Sequence, residues 1–212
     1  MDLYSYFRSS AAYRVRIALN LKGLPVNLIP IHLIKDGGQQ HSPEYRKLNP
    51  DALLPALVDN GAIIHQSLAI IEYLEEVHPT PALLPATPLD RAYVRALAMQ
   101  IACDVHPLNN LRVLQYLDNV LGLDKAARDS WYRHWIQVGF DALERALNRD
   151  SATGRFCHGD APSMADVFLV PQVLNARRLA VGLEKYPRIV AIDALCRELP
   201  AFSSTAPQRP PQ

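Results

Sequence analysis

An α/β domain followed by an all-helical domain is the fold class this sequence predicts, and three observations predict it. Through residues 1–80, short apolar runs with strand-like alternation interleave with segments that repeat apolar residues at helical spacing. Residues 78–88 then carry Pro79, Pro81, Pro85 and Pro88, too many for either regular structure. From Leu89 onward only helical periodicity recurs. The boundaries that follow are an α/β domain over 1–80, a linker over 81–88, a helical domain over 89–202 and a disordered tail over 203–212, rich in Pro, Ser and Gln.

Each element has its own signal. Residues 3–7 read as a strand, and 11–21 as a helix that stops before Gly23, a C-cap residue. Residues 26–31 make a second strand, and Asp36-Gly37-Gly38 a loop. A short helix over 43–48 ends at Asn49-Pro50. Strands over 53–58 and 62–65 flank the turn Asp59-Asn60-Gly61. Ser67 caps a helix whose apolar positions are Ala69, Ile70, Ile71 and Leu74. The order β-α-β-α-β-β-α is that of a thioredoxin-like domain. Beyond the linker, amphipathic stretches over 91–121, 125–147, 164–179 and 188–199 supply a helical core. Ser163-Met164-Ala165-Asp166 is a capping box ahead of an apolar run.

Composition narrows the class of function. With 49% hydrophobic and 20% charged residues the chain can bury a core. Its formal net charge of +1, without blocks of like charge, argues against nucleic acid or an anionic membrane as partner. No apolar run approaches the ~20 residues that span a bilayer, and the N-terminus lacks a signal-peptide pattern. Cys103, Cys157 and Cys196 are odd in number and far apart. They suit neither a disulfide framework nor a metal site, fit a reducing cytoplasm, and each reads as a small buried hydrophobe.

Chemistry concentrates at Ser9-Ser10-Ala11-Ala12, which opens the first helix directly after the first strand. Free backbone N–H groups and the positive end of the helix dipole converge there, a place that holds an anion or lowers the pKa of a thiol. A thioredoxin-like domain usually has Cys-x-x-Cys here; this chain has no cysteine there and cannot perform dithiol exchange itself. The serines either cap the helix or serve a sulfur brought by another molecule, and the segment alone leaves both readings open. Leu54-Pro55 precedes the third strand, where this fold commonly has a cis proline that turns the preceding backbone toward a bound peptide. Gln66-Ser67 opens another helix N-terminus, suited to a carboxylate.

Taken together, Tyr4-Ser5-Tyr6-Phe7-Arg8-Ser9-Ser10, Arg14-Val15-Arg16-Ile17-Ala18-Leu19, Ile34-Lys35-Asp36-Gly37-Gly38-Gln39-Gln40 and His65-Gln66-Ser67-Leu68-Ala69-Ile70-Ile71-Glu72-Tyr73-Leu74 resemble the zeta-class glutathione transferases. The resemblance continues through Pro107-Leu108-Asn109-Asn110-Leu111, Gly159-Asp160-Ala161-Pro162-Ser163-Met164-Ala165-Asp166 and Val170-Pro171-Gln172-Val173. It covers nearly the whole chain apart from the tail. The serine motif is specific to the class; Gln-Ser and the capping box are shared more widely among glutathione transferases.

The resemblance implies glutathione as cofactor, with Ser9, Ser10 and the Ala11 backbone around its thiol. It implies Gln40 or His41 at the glycyl end and Leu54, before Pro55, at the cysteinyl backbone. Gln66 and Ser67 would take the γ-glutamyl carboxylate, while His106, Asn110 and Arg112 would approach from the helical domain. The family usually has Cys after the two serines, where this chain has Ala11. The activity implied is cis–trans isomerisation of a maleyl-type dicarboxylate, maleylacetoacetate to fumarylacetoacetate, in aromatic amino-acid catabolism. Maleylpyruvate is the alternative substrate, conjugation or dehalogenation of small haloacids a second alternative, and a non-catalytic glutathione-binding module a third. A dicarboxylate calls for cations, and Arg8, Arg112 and Arg178 are the candidates, arginine being able to grip a carboxylate bidentately. The resemblance also implies a homodimer.

Overall fold

Strand β1 (Asp2–Ser5) feeds helix α1 (Ser10–Leu21), which returns the chain to strand β2 (Asn27–Pro30) beside β1 and parallel to it. Parallel neighbours need such a crossover, and a helix supplies it. After a looped segment and helix α2 (Pro43–Leu48), strands β3 (Ala56–Asp59) and β4 (Ala62–His65) pair antiparallel, followed by helix α3 (Ser67–Val77). The β3–β4 turn uses Asn60 and Gly61, both at positive φ (47° and 83°), the backbone a two-residue hairpin turn demands. The sheet order is β2-β1-β3-β4, with β1 antiparallel to β3. This is the thioredoxin-like order read from the sequence. The computed structural model describes residues 1–207.

The described residues divide into two units: Met1–Leu83 with the segment from Pro200 on, and Leu84–Leu199. In the first, every residue of α1 from Ala11 to Leu19 is buried, Arg14 and Arg16 included. Such all-round burial needs cover on several sides. The sheet and α3 provide part of it. The rest comes from helix α9 (Pro200–Ser203), whose Phe202 carbonyl accepts a 2.7 Å bond from the Tyr13 hydroxyl. Ser203 and Thr205, which composition places in a disordered tail, belong to this ordered return: the Thr205 carbonyl accepts from Arg16 at 3.3 Å. Its side-chain composition is polar, but much of its anchorage is through the backbone carbonyls of Ala201, Phe202 and Thr205, which composition cannot reveal. The remainder of the tail, 208–212, lies outside the described residues.

Lys22 closes α1 and ties it to the segment after α3. Its buried ammonium donates to Glu75 Oε2 at 2.7 Å, to the His78 carbonyl at 2.7 Å and to the Pro81 carbonyl at 2.9 Å. All three of its protons are thereby used. Glu75 in turn accepts from the Leu83 N–H.

In the second unit, α4 (Pro88–Met99) is capped by Thr87 with proline at its first position. The stretch read as one helix over 91–121 is broken. A π-helical segment (Gln100–Val105) is followed by a 3₁₀ turn (Pro107–Asn109), and α5 (Leu111–Asn119) starts afresh with Asn110 as its cap. Pro107 lacks the N–H that a continuous helix needs. Helix α6 (Lys125–Arg149) crosses the π segment closely: a Cβ on Gly139 would lie 2.2 Å from Val105 Cγ2. Helix α7 (Met164–Arg178) is the buried centre of the unit, started by the Ser163/Asp166 capping box, and α8 (Pro187–Glu198) follows. Burial pushes the Cys157 and Cys196 thiols up, consistent with inert core residues. Cys103 differs from that reading: it is exposed, on the π segment. None of the described helices is long and apolar enough to cross a membrane, and no group of three or more metal-binding side chains occurs among the described residues.

The buried Lys22–Glu75 pair sets a stability test. Lys22→Met is expected to lower the unfolding free energy by about 3–5 kcal/mol, because it strands a buried carboxylate, and Lys22→Met with Glu75→Leu to recover part of that loss. Urea unfolding measures both; an unchanged midpoint for Lys22→Met contradicts the role given to the pair.

Candidate functional site

Strand register brings four connections to one end of the sheet. Tyr4 pairs with Ala56, and Ala56 with His65. The loop leaving β1, the Leu54-Pro55 step entering β3 and the Gln66-Ser67 step leaving β4 therefore emerge together. The loop after β2 joins them, since Ser5 aligns with Pro30 and its carbonyl accepts from the Ile31 N–H at 2.9 Å.

At this end α1 begins. Ser9 has extended backbone (φ −71°, ψ 115°) and is the N-cap, its Oγ accepting from the Ala12 N–H at 3.2 Å. Its carbonyl accepts from the Tyr13 N–H. Capping uses the oxygen as acceptor and leaves the hydroxyl proton for a second partner. Capping and ligand binding are therefore compatible in one side chain. Ser10 is the first helical residue and Ala11 is buried. Arg8 is exposed just ahead of them.

Arg16, which the sequence reading did not single out, holds this loop in place. It donates to Ser5 Oγ (2.8 Å) and to the carbonyls of Tyr6 (3.5 Å) and Phe7 (3.3 Å). Its guanidinium also lies 5.5 Å from the Tyr13 ring centre. Burial lowers its pKa to about 10, so it remains charged at neutral pH.

The Leu54–Pro55 bond is cis, as read from the sequence. Its position beside the exit of β1 is fixed by the strand register. Gln66 stands at the N-cap position of α3, and Ser67, read as the cap, is instead its first helical residue. Gln66 has φ +69°, a conformation that side-chain-bearing residues rarely adopt, and such strain concentrates at functional sites. Buried Ser67 accepts from Arg14 Nη1 at 3.3 Å, which places a second buried guanidinium of α1 beside the start of α3. Gln40 is 4% exposed; its Nε2 donates to the Leu33 carbonyl, and its Oε1 is buried without a hydrogen-bond partner. His41 follows on the surface beside Arg46.

The helical unit holds the other candidates. His106 links the π segment to the 3₁₀ turn, and Asn110 caps α5 by accepting from the Arg112 N–H at 3.2 Å. Arg112 is exposed. Arg178 ends α7 near Tyr132 of α6, donating to its hydroxyl at 3.4 Å with the guanidinium 6.0 Å from the ring centre. Asn109 donates to the Tyr132 carbonyl at 3.4 Å. The turn at 107–109, α6 and the end of α7 thus converge around Tyr132, a residue the sequence reading did not single out.

The chemistry available on the first unit is that of an anion and thiol cradle: two helix N-termini, hydroxyls at both, and a buried amide oxygen awaiting a donor. Comparison with known proteins agrees. The family model for the glutathione S-transferase N-terminal domain matches residues 3–82, and that for the C-terminal domain matches 125–192. A probable maleylacetoacetate isomerase of Vibrio cholerae is 49% identical over 99% of this chain and 96% of its own length. A solved maleylpyruvate isomerase, a bacterial glutathione S-transferase of the zeta class, is 50% identical with a TM-score of 0.94, covering 98% of this chain and 97% of that one. A maleylacetoacetate isomerase of Methylobacterium extorquens AM1, solved with malonate and glutathione bound, is 38% identical with a TM-score of 0.95, covering 100% of this chain and 98% of that one.

Proposed function

The chain belongs to the glutathione S-transferase family, in its zeta class, and from that premise we propose that it is a glutathione-dependent cis–trans isomerase of a maleyl-type dicarboxylate, maleylacetoacetate. The observation that carries the reading is the start of α1, where Ser9 caps the helix and keeps a hydroxyl proton to give. Maleylpyruvate is the second reading, favoured by the 50%-identical relative that acts on it. The residues present fit glutathione: buried Gln40 Oε1 lacks a donor, and the N-termini of α1 and α3 suit a thiolate and a carboxylate.

When bound, glutathione supplies a sulfur nucleophile that can add reversibly to a cis enone and so turn its double bond into one that rotates. This chain's residues make that sulfur available. An ordinary thiol, of pKa about 8.5, is mostly protonated at neutral pH. In the proposal Ser9 is the main hydroxyl donor to the sulfur and Ser10 the second, while the Ala11 N–H and the dipole of α1 favour negative charge. In the proposal the serine hydroxyls and the helix N–H groups hold the thiolate without a protein thiol, so Ala11 in place of the usual family cysteine is compatible with activity. Leu54 offers its backbone to the cysteinyl unit, Gln66 and Ser67 take the γ-glutamyl carboxylate, and Gln40 and His41 take the glycyl end. His106, Asn110 and Arg112 are the proposed contributions of the helical unit. Arg8, Arg112 and Arg178 are the proposed cations for the carboxylates of the second substrate. We also propose a homodimer, because Leu89 and Met99, with exposed Ala92 and Ala96 between them, leave an apolar stripe at helical spacing along α4.

Four outcomes test these readings. Isomerisation of maleylacetoacetate, followed with and without glutathione and compared with maleylpyruvate, should depend on glutathione; glutathione binding without isomerisation of either substrate overturns the enzyme reading. In that assay Ser9→Ala should slow turnover by about 10²-fold, the scale of losing one key electrostatic donor, with Ser10→Ala the milder change; the reverse order contradicts the assignment. Arg8→Met or Arg178→Met should lower kcat/KM by about 10- to 150-fold, equivalent to one charge-assisted hydrogen bond, with glutathione affinity unchanged. If Arg178→Met weakens glutathione equally, that arginine belongs to the cofactor. Light scattering at micromolar concentration should give twice the chain mass; a monomer mass refutes the dimer.

A further inference from the structure

We propose that His32 is a positioning residue that shapes the loop carrying Gln40 and His41, and through it sets affinity for the glycyl end of glutathione; this rests on the glutathione reading above. The loop between β2 and α2 turns through three successive positive φ values, at Asp36 (56°), Gly37 (76°) and Gly38 (99°). A backbone in that conformation cannot form a repeating ladder; single-turn bonds such as Gly38 N–H to the Lys35 carbonyl (2.9 Å) hold part of it, and side chains hold the rest.

His32 holds it. Its ring Nδ1 lies 3.2 Å from the Ile34 nitrogen and 2.9 Å from the Lys35 nitrogen. A backbone N–H can only donate, so Nδ1 must be the acceptor and the ring proton of the neutral imidazole sits on Nε2. The backbone of His32 closes the base of the same loop. Its N–H donates to Gln39 Oε1 at 2.8 Å, and its carbonyl accepts from the Gln39 N–H at 2.9 Å. The Tyr6 ring packs against the imidazole, edge to face, with centroids 4.8 Å apart. One histidine therefore fixes both the turn and the base of the loop.

The next residue, Gln40, is where that shape is used. Gly38 passes so close to it that a Cβ there would lie 2.6 Å from Gln40 Nε2. Gln40 is thereby confined with Nε2 on the Leu33 carbonyl and Oε1 buried without a partner. An unmet buried acceptor is costly, and a ligand amide N–H aimed at it relieves that cost. The amide that joins cysteine to glycine in glutathione offers such a donor. If the loop relaxes, Gln40 Oε1 can turn to water, and the advantage of the glycyl end disappears.

The test compares two ligands by calorimetry, glutathione and γ-glutamylcysteine, which lacks the glycine. His32→Phe keeps a ring against Tyr6 but removes the acceptor. His32→Asn restores an acceptor, since an Asn oxygen takes N–H groups two residues on in the same way. His32→Phe is expected to weaken glutathione about tenfold, the size of one or two modest hydrogen bonds. It should leave γ-glutamylcysteine affinity and thermal stability unchanged, and His32→Asn should recover glutathione affinity. Gln39→Leu, which removes the acceptor for the His32 N–H, should give the same selective loss and serves if His32→Phe fails to fold. Equal loss for both ligands, or no loss for either, overturns the positioning role. Failure of the unaltered protein to bind glutathione at all overturns the underlying reading and this inference with it.

Discussion

The hydrogen bond from the Ala12 N–H to Ser9 Oγ determines where α1 begins, and the rest of the site is built around that point. A helix start is a fixed electrostatic feature: its first N–H groups have no partner four residues back, and its dipole favours an anion. The bond leaves the Ser9 proton unspent, so the residue that starts the helix can also act on a ligand. Around it the buried Arg16 gathers Ser5, Tyr6 and Phe7, and Thr205 from the C-terminal return adds a further carbonyl. The loop that delivers Ser9 is thus held by a charge that burial has not removed, with pKa about 10.

The sheet converts this one point into a site. Because β1 and β2 are parallel while β3 and β4 are antiparallel, four separate connections leave the sheet at the same end. One brings a helix N-terminus with serines, one a cis proline, one a second helix N-terminus with a strained glutamine, and one a loop with a buried amide. No single connection recognises a tripeptide. Their common placement follows from strand register, in which a shift of one residue would turn the alternating side chains of β1 and β3 to the wrong face.

Much of this was legible in the sequence because it is local. The Asn60-Gly61 turn, the serine cap, the cis proline before β3 and the capping box at Ser163 each depend on a few neighbouring residues. What was not legible depends on distance along the chain. Nothing local announces the burial of Arg14 and Arg16: Arg16 is covered with the C-terminal return, whose Thr205 carbonyl it binds nearly two hundred residues later, and Arg14 lies against Ser67 at the start of α3. Tyr132 has no local signal, and only the end of α7 reveals its contact with Arg178. The break of 91–121 at Pro107 had a local signal, whereas the π segment before it, whose Val105 packs closely on Gly139 of α6, had none. His32 carries no pattern at all: its role follows from the path of the loop around it.

The central claim is that this protein ionises a sulfur belonging to another molecule by placing it at the start of α1. The most direct measurement is a pH titration of the thiolate absorbance of glutathione bound to the unaltered protein. The account predicts half-ionisation more than about one pH unit below the pKa of about 8.5 of an ordinary thiol. Bound glutathione that ionises at the same pH as free glutathione would contradict it.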